Sequence, residues 1–233
     1  MGSRRWTVVV TVVVVVAVAA FAAGYVAHST SSTSSTSPTT VATSTTAPTT
    51  TTSPAWVAAW PSVRGSLRYR TPIGAALGFA RAVLAMRAPL AHGFAQGDTR
   101  SGEVAITSTS TGPVTTVLVR QVTGDRSWWV LGSTCRDVDI GEPSALATVA
   151  SPLRLRGWSS AFEGVINDAL YEDDVARPIA TGTTMGGANG VMGPFATTLT
   201  FPAPAHPYGV LVVSVRSPKD GDVLEAAAIR VAF

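Results

Sequence analysis

Read by its hydrophobic and polar positions, the chain changes character several times. Residues 8–27 are apolar or small at every position except Thr11 and Tyr25. The run is apolar all round and has no amphipathic stripe, so it predicts a helix of roughly 30 Å, the thickness of a bilayer's hydrocarbon core. Arg4 and Arg5 precede it and no basic residue follows until Arg64. The positive-inside rule then puts residues 1–7 in the cytoplasm and everything after the span outside. The competing reading is a cleaved signal peptide, because Ala17-Val18-Ala19 and Ala20-Phe21-Ala22 have the small-x-small form that a signal peptidase accepts. A lipoprotein signal needs a Cys just after the apolar run, and the chain's one Cys is Cys135.

From 29 to 54 the pattern vanishes. The stretch is almost wholly Ser and Thr with Pro38, Pro48 and Pro54 and carries no charge. It cannot bury enough apolar area to offset ordering, so residues 28–63 are expected to form a disordered stalk, open to O-glycosylation. Trp56 and Trp60 close it, and packing on the folded part is expected of them rather than contact with the membrane.

Helical spacing returns at Ile73, Leu77, Ala80 and Leu84, with Thr71 as N-cap, Pro72 at the first helical position and Pro89 as the stop. Strand-like runs follow at 103–107, 114–122 and 128–131, with turns at Gly112-Pro113 and Gly124-Asp125. The second and third runs have large apolar residues on both faces, from Val117 to Val119 and from Trp128 to Leu131. That implies a sheet covered on both sides, by the helix and by the following domain. Residues 64–136 thus read as a small α+β domain, one helix on an antiparallel sheet.

Beyond residue 137 period-two alternation dominates. Leu153 and Leu155 alternate with Arg154 and Arg156; Phe195, Leu199 and Phe201 oppose Ala196, Thr198 and Thr200; Leu211, Val213 and Val215 oppose Ser214 and Arg216. Short strands recur with Gly and Pro at the corners, and no useful helix fits after Trp129, so residues 137–233 predict an antiparallel β-sandwich. The fold class is mainly β.

Several short motifs in this region carry a family likeness. In order they are Ser151-Pro152-Leu153, Gly157-Trp158, Phe162-Glu163-Gly164, Gly193-Pro194-Phe195, the run from Gly209 to Val213, the run from Ser217 to Gly221, and Ile229 to Phe233. Their succession resembles the bacterial immunoglobulin-like domain associated with spore-germination GerMN modules. The resemblance implies a seven-stranded sandwich outside a bacterial membrane, with no catalytic residues to carry over. No GerMN module accompanies it here, so a germination role does not transfer. Asp168 departs from the pattern, because it shares a face with Ile166 and Leu170, where such a domain places an apolar residue.

Charge narrows the function. Seventeen Lys and Arg face 14 Asp and Glu, and Arg4 and Arg5 belong to targeting, which leaves the rest nearly neutral. Nucleic-acid binding has no basic footprint. His28, His92 and His206 have no partner at ligand or triad spacing. Glu172-Asp173-Asp174, Asp137 with Asp139, and Asp220-Gly221-Asp222 lack the series of a calcium loop and read as solvated turns. Gly186 to Gly190 lies between strands and no Lys follows, so it reads as a hairpin turn and not a phosphate loop. Trp128 and Trp129 point to opposite faces, and core packing is expected of them. Cys135 has no partner for a disulfide and reads as a buried small apolar side chain.

No catalytic, cofactor-binding or metal site is therefore assigned, and the chain is not expected to be an enzyme. The expected role is that of a membrane-anchored, extracytoplasmic binding or scaffolding protein of the bacterial envelope, meeting cell-wall polymer or an envelope protein. The alternative is an envelope enzyme, or an accessory to one, with its site in the cleft between the two domains. Partner contacts are expected in two loops of unusual composition: the acidic one with Asp173 and Asp174, and the Gly-rich one flanked by Met185 and Met192.

Overall fold

The computed structural model describes residues 58–122 and 124–233. The expected anchor and nearly all of the stalk, Trp56 included, lie outside the described residues. Among the described residues no helix is long and apolar enough to cross a membrane.

Helix α1, Pro72–Ala82, begins as its sequence predicts: Thr71 is extended, its side chain accepts from the Gly74 amide at 3.0 Å, and proline takes the first position. Its buried face is Ala75, Ala76, Phe79 and Ala80. Ile73, expected on that face, is exposed. The small alanines let the helix lie close to the sheet, and Phe79 fills the space between them.

Twelve strands follow. They are β1 Leu90–Gln96, β2 Ser101–Thr107, β3 Thr115–Arg120, β4 Trp129–Cys135, β5 Val138–Glu142, β6 Leu153–Ala161, β7 Val165–Glu172, β8 Ala180–Met185, β9 Gly187–Ala188, β10 Gly193–Leu199, β11 Tyr208–Arg216 and β12 Val223–Ala232. The main sheet has eight strands in the order β1-β2-β3-β4-β12-β11-β7-β8. The smaller one runs β10-β6-β5, with β9 pairing beside β6. Apart from the two-residue β9, the C-terminal segment supplies seven strands, three in the small sheet and four in the large one, as the resemblance implied. The helical content after residue 129, among the described residues, is the short turn Phe162–Gly164.

The expected boundary at 136/137 falls in the turn between β4 and β5, yet the eight-stranded sheet runs across it, and all described residues belong to one compact unit. The join is short: Ser133 pairs with Ala228 and Gly132 with Ile229. Gly132 is required there, since a Cβ at that position would sit 2.5 Å from the Ala228 carbonyl oxygen. Side chains reinforce the join. The Ser133 hydroxyl donates to the Ala226 carbonyl, and the Ala226 amide donates to the Thr115 hydroxyl, each at 3.0 Å.

Two cores result, one on each face of the large sheet. Val210 and Val212 of β11, with Ala226 and Ala228 of β12, join the core under α1 that holds Phe79, Val104, Val117 and Val130. Leu211, Val213 and Val215, with Ala227 and Val231, point the other way and meet Leu153, Leu155, Phe195 and Leu199 of the small sheet. A strand buried on both sides reads as a continuous apolar run, and Gly209 to Val215 is one. The half-buried reading of β11 is thereby corrected. On β6 and β10 the expected alternation holds, with Leu153 and Leu155 inside, Arg154 and Arg156 outside, and Phe195 and Leu199 inside.

Residues 58–60, expected in the stalk, belong to the folded part. Ala58, Ala59 and Trp60 are buried, Trp60 exchanges two backbone hydrogen bonds with Val130 at 2.9 and 2.7 Å, and its ring stacks on Tyr69 and meets the edge of Phe79. Trp129 is also fully buried, under the Arg68 guanidinium, and Trp128 packs edge-on to Phe94.

Candidate functional site

Strand β7 separates the expected contact residues. Met185, at the end of β8, pairs with Val165 at the start of β7, whereas Asp173 and Asp174 follow its last residue, Glu172. The strand is about 23 Å long, so the two loops lie at opposite ends of the sandwich and form no common site.

At the acidic end Asp173 is not a surface residue. Its two carboxylate oxygens accept from both terminal nitrogens of Arg230, at 2.7 and 2.6 Å, and the pair is almost wholly buried. The Arg230 Nε–H donates to the Ala58 carbonyl, which ties the start of the folded part to the last strand. Burial pushes the Asp173 carboxyl up, and the guanidinium pulls it back. Asp173 is therefore framework, which corrects its expected role in partner contact. Asp174 is exposed and holds a left-handed backbone, φ 61°. Beside them Glu172 accepts from the His206 amide.

The other end is apolar and open. The loop after β8 folds back over the end of β6: Gly186 donates to Gly164 at 2.9 Å, Asn189 to Ala161 at 3.2 Å, and β9 pairs in parallel with Ser160 and Ala161. This brings Met185, Val191 and Met192 to the same end as Phe162 and Val165. All five are exposed, Phe162 by 60%, Met185 by 61% and Val191 by 69%. Beside them is a cleft of about 170 Å³ lined by Phe162, Val165 and Pro218, with Glu163 and Arg216 at its edge. Large apolar side chains left together in water, with charges around them, are the composition of a contact surface. The Met pair was legible from the loop's Gly and Met content. Phe162 and Val165 were missed, because only the fold-back of residues 186–192 adds them to the loop.

The remaining candidates are structural. Asp168 lies inside between Ile166 and Leu170, as its register predicted, and neither carboxylate oxygen has a partner. It packs over Gly182, where a Cβ would come within 2.3 Å of Asp168 Oδ2, and burial raises its pKa. Glu225, also buried, is pushed up to about 6 by burial and then by the nearby Asp137 charge. Burial, followed by the Glu225 charge, also raises the Cys135 thiol, which leaves it unreactive. Asp220 and Asp222 form a self-bonded turn, and His92 bonds the Thr107 hydroxyl at 2.7 Å. Among the described residues no three His, Cys, Asp or Glu side chains gather as a metal site needs.

A larger cleft, of about 510 Å³, opens where the first segment meets the second. It is lined by Ala58 and Ala59, by Leu118 and Leu131 of β3 and β4, by Ala145 and Leu146, and by Arg100, Arg120 and Arg230.

Residues 137–222 match the family model described as the immunoglobulin-like domain of bacterial spore germination. The match runs from β5 through β11 and stops just before β12, which begins at Val223. No curated protein and no solved structure matches the chain. The C-terminal segment is thus an immunoglobulin-like sandwich of this kind, grafted through β12 onto a helix-covered sheet.

Proposed function

We propose that the chain is a membrane-tethered, extracytoplasmic binding or scaffolding protein of the bacterial envelope, and that the apolar end of its sandwich docks an envelope protein. The observation that carries this is the exposed cluster of Phe162, Val165, Met185, Val191 and Met192. Its chemistry favours a protein: aliphatic and thioether side chains stand with the Phe162 ring, and Glu163, Asn167 and Arg216 rim the adjoining cleft, an apolar patch with a polar border. Tethering rests on residues 8–27 and on Arg4 and Arg5, and the family match supports work outside the membrane.

The enzyme alternative placed its site between the two segments, where the 510 Å³ cleft lies. Aliphatic and arginine side chains line that cleft, a set that binds and orients rather than one that transfers protons.

The test is chemical cross-linking in intact cells expressing the full chain, followed by recovery of its adducts. The account expects a discrete adduct that Phe162→Ser with Met185→Ser abolishes while thermal stability is kept, and that Asp174→Ala leaves intact. An adduct unaffected by the double change would overturn the site. Protease added to intact spheroplasts should also degrade the folded part, and protection there would overturn the orientation.

A further inference from the structure

The core under α1 reaches across the large sheet as far as Val210 and Val212 of β11, and Tyr171 of β7 packs against its margin. Beyond Tyr171 the same face of β7 and β8 is uncovered. The register sets Asn167 between Ser214 and Thr183, and Ala169 between Val212 and Thr181. These side chains, with Tyr171 and Arg216, line a cleft of about 380 Å³. That volume lies within the range of sites for small organic ligands.

The lining is polar but almost without charge. Strand β8 is an edge of the large sheet, and edge strands in water commonly carry charged side chains. This one, ATGTTM, carries none. Thr181 and Thr183 are exposed, and Asn167 and Tyr171 are half-buried. Among the described residues, the Asn167 side-chain amide and the hydroxyls of Thr181, Thr183 and Tyr171 bond to no other protein group. Burial raises the Tyr171 pKa against the opposing pull of the Arg216 charge, so the phenol keeps its proton and can donate. Arg216 stands at one end, its guanidinium donating to the Gly221 carbonyl at 3.0 Å. Asp168 also borders the cleft, but its carboxylate is buried on the other face of β7, over Gly182.

The backbone narrows the choice of ligand. Strand β7 is hydrogen-bonded to β11 on one side and to β8 on the other, so the floor of the cleft offers no free strand edge. An extended peptide would find side chains there and no ladder for its own amides. A sugar carries hydroxyls that both donate and accept, and its C–H faces rest on apolar surface. The cleft supplies both kinds of partner, amide, hydroxyl and guanidinium groups around Ala169, Pro178 and the Tyr171 ring.

We propose that this cleft binds a neutral carbohydrate chain lying along β7, its hydroxyls bonded by Asn167, Thr181, Thr183 and Arg216 and a sugar ring resting beside Tyr171. The site goes beyond the docking assigned to the apolar end of the sandwich. Asn167 and Arg216 also line the small cleft at that end, so the variants that separate the two sites avoid them.

The test is calorimetric titration of the full chain, held in nanodiscs of zwitterionic lipid with empty discs as the blank, by cellotetraose, maltotetraose and tetra-N-acetylchitotetraose. Glucose and an uncharged serine-rich peptide serve as comparisons. Saturable binding is expected for at least one tetrasaccharide, about tenfold or more tighter than for glucose or the peptide. Thr181→Val with Thr183→Val keeps the branched shape that suits a strand, so the melting temperature should hold while that affinity drops about tenfold. Tyr171→Phe, which keeps the ring, should weaken it several-fold. Phe162→Ser with Met185→Ser should leave it unchanged. The proposal is overturned if no tetrasaccharide binds saturably, if glucose or the peptide binds as tightly as the best of them, if the threonine double variant binds unchanged, or if the Phe162 and Met185 double variant alone abolishes binding.

Discussion

At one end of β7 the chain buries an ion pair, Asp173 against Arg230, while at the other it leaves Phe162, Met185 and Val191 in water. The contrast runs against the usual sorting of charge outside and apolar groups inside. The buried pair costs desolvation, but it fastens the turn after β7 and the Ala58 carbonyl to β12, fixing one end of the sandwich to the start of the folded part. The open end is held by backbone hydrogen bonds of a glycine-rich loop, and Phe162, Met185 and Val191 stay mostly exposed. Buried, paired groups therefore lie at the charged end, and groups available for a partner lie at the apolar one.

The sharpest way to break this comparison is at the pair. Arg230→Ala strands the Asp173 carboxylate in the interior and should destabilise the chain by about 3 to 5 kcal/mol in urea unfolding. A loss below about 1 kcal/mol would make the charged end as dispensable as a surface. Asp168 offers a smaller effect of opposite sign. Its carboxylate is buried without partners, so Asp168→Val should stabilise by about 1 to 3 kcal/mol, and destabilisation of that size would mean that the carboxylate is hydrogen-bonded in the folded state.

Glu225 gives the pH dependence. Its folded pKa of about 6 lies above the ordinary value of 4.5, so the folded state holds the proton more tightly. Stability is then fullest below about 4.5 and is lost as pH rises through about 6, by at most roughly 2 kcal/mol. Glu225→Gln should flatten that slope when unfolding is measured at pH 4.5 and 7, and an unchanged slope would assign it to other groups. At the apolar end the expected change is the smallest. Phe162→Ser or Met185→Ser should move stability by no more than about 1 kcal/mol, since both side chains are more than half exposed. A loss of several kcal/mol would make them core.

Much of this was written in local pattern. Thr71-Pro72 marked the helix, and alternation on β6 and β10 set their inner faces. The apolar runs of β3 and β4 implied cover on both sides, whereas the alternation of β11 implied cover on one. Both faces of β11 are in fact covered, as is Trp129 of β4, while Leu118 and Leu131 are left half-buried beside a cleft, a difference that rests on long-range packing and so on no local signal. Strand β1 was missed because LAHGFAQ, on a sheet edge, is mostly exposed and carries no alternation. Ala58 and Ala59 looked like stalk, since alanine has too little surface to declare itself buried. Asp173 looked like a solvated turn because its partner stands 57 residues away. The Met185 loop was legible from its Gly and Met content, but Phe162 joins it only in three dimensions.

The central claim, that the apolar end is the partner surface, is tested most directly by placing a photo-cross-linking amino acid in the full-length chain inside living cells. At position 162 or 185 illumination should give a discrete higher-mass adduct. At Thr198, on the exposed face of β10, it should give none. An adduct at 198 with nothing at 162 or 185 would contradict the account.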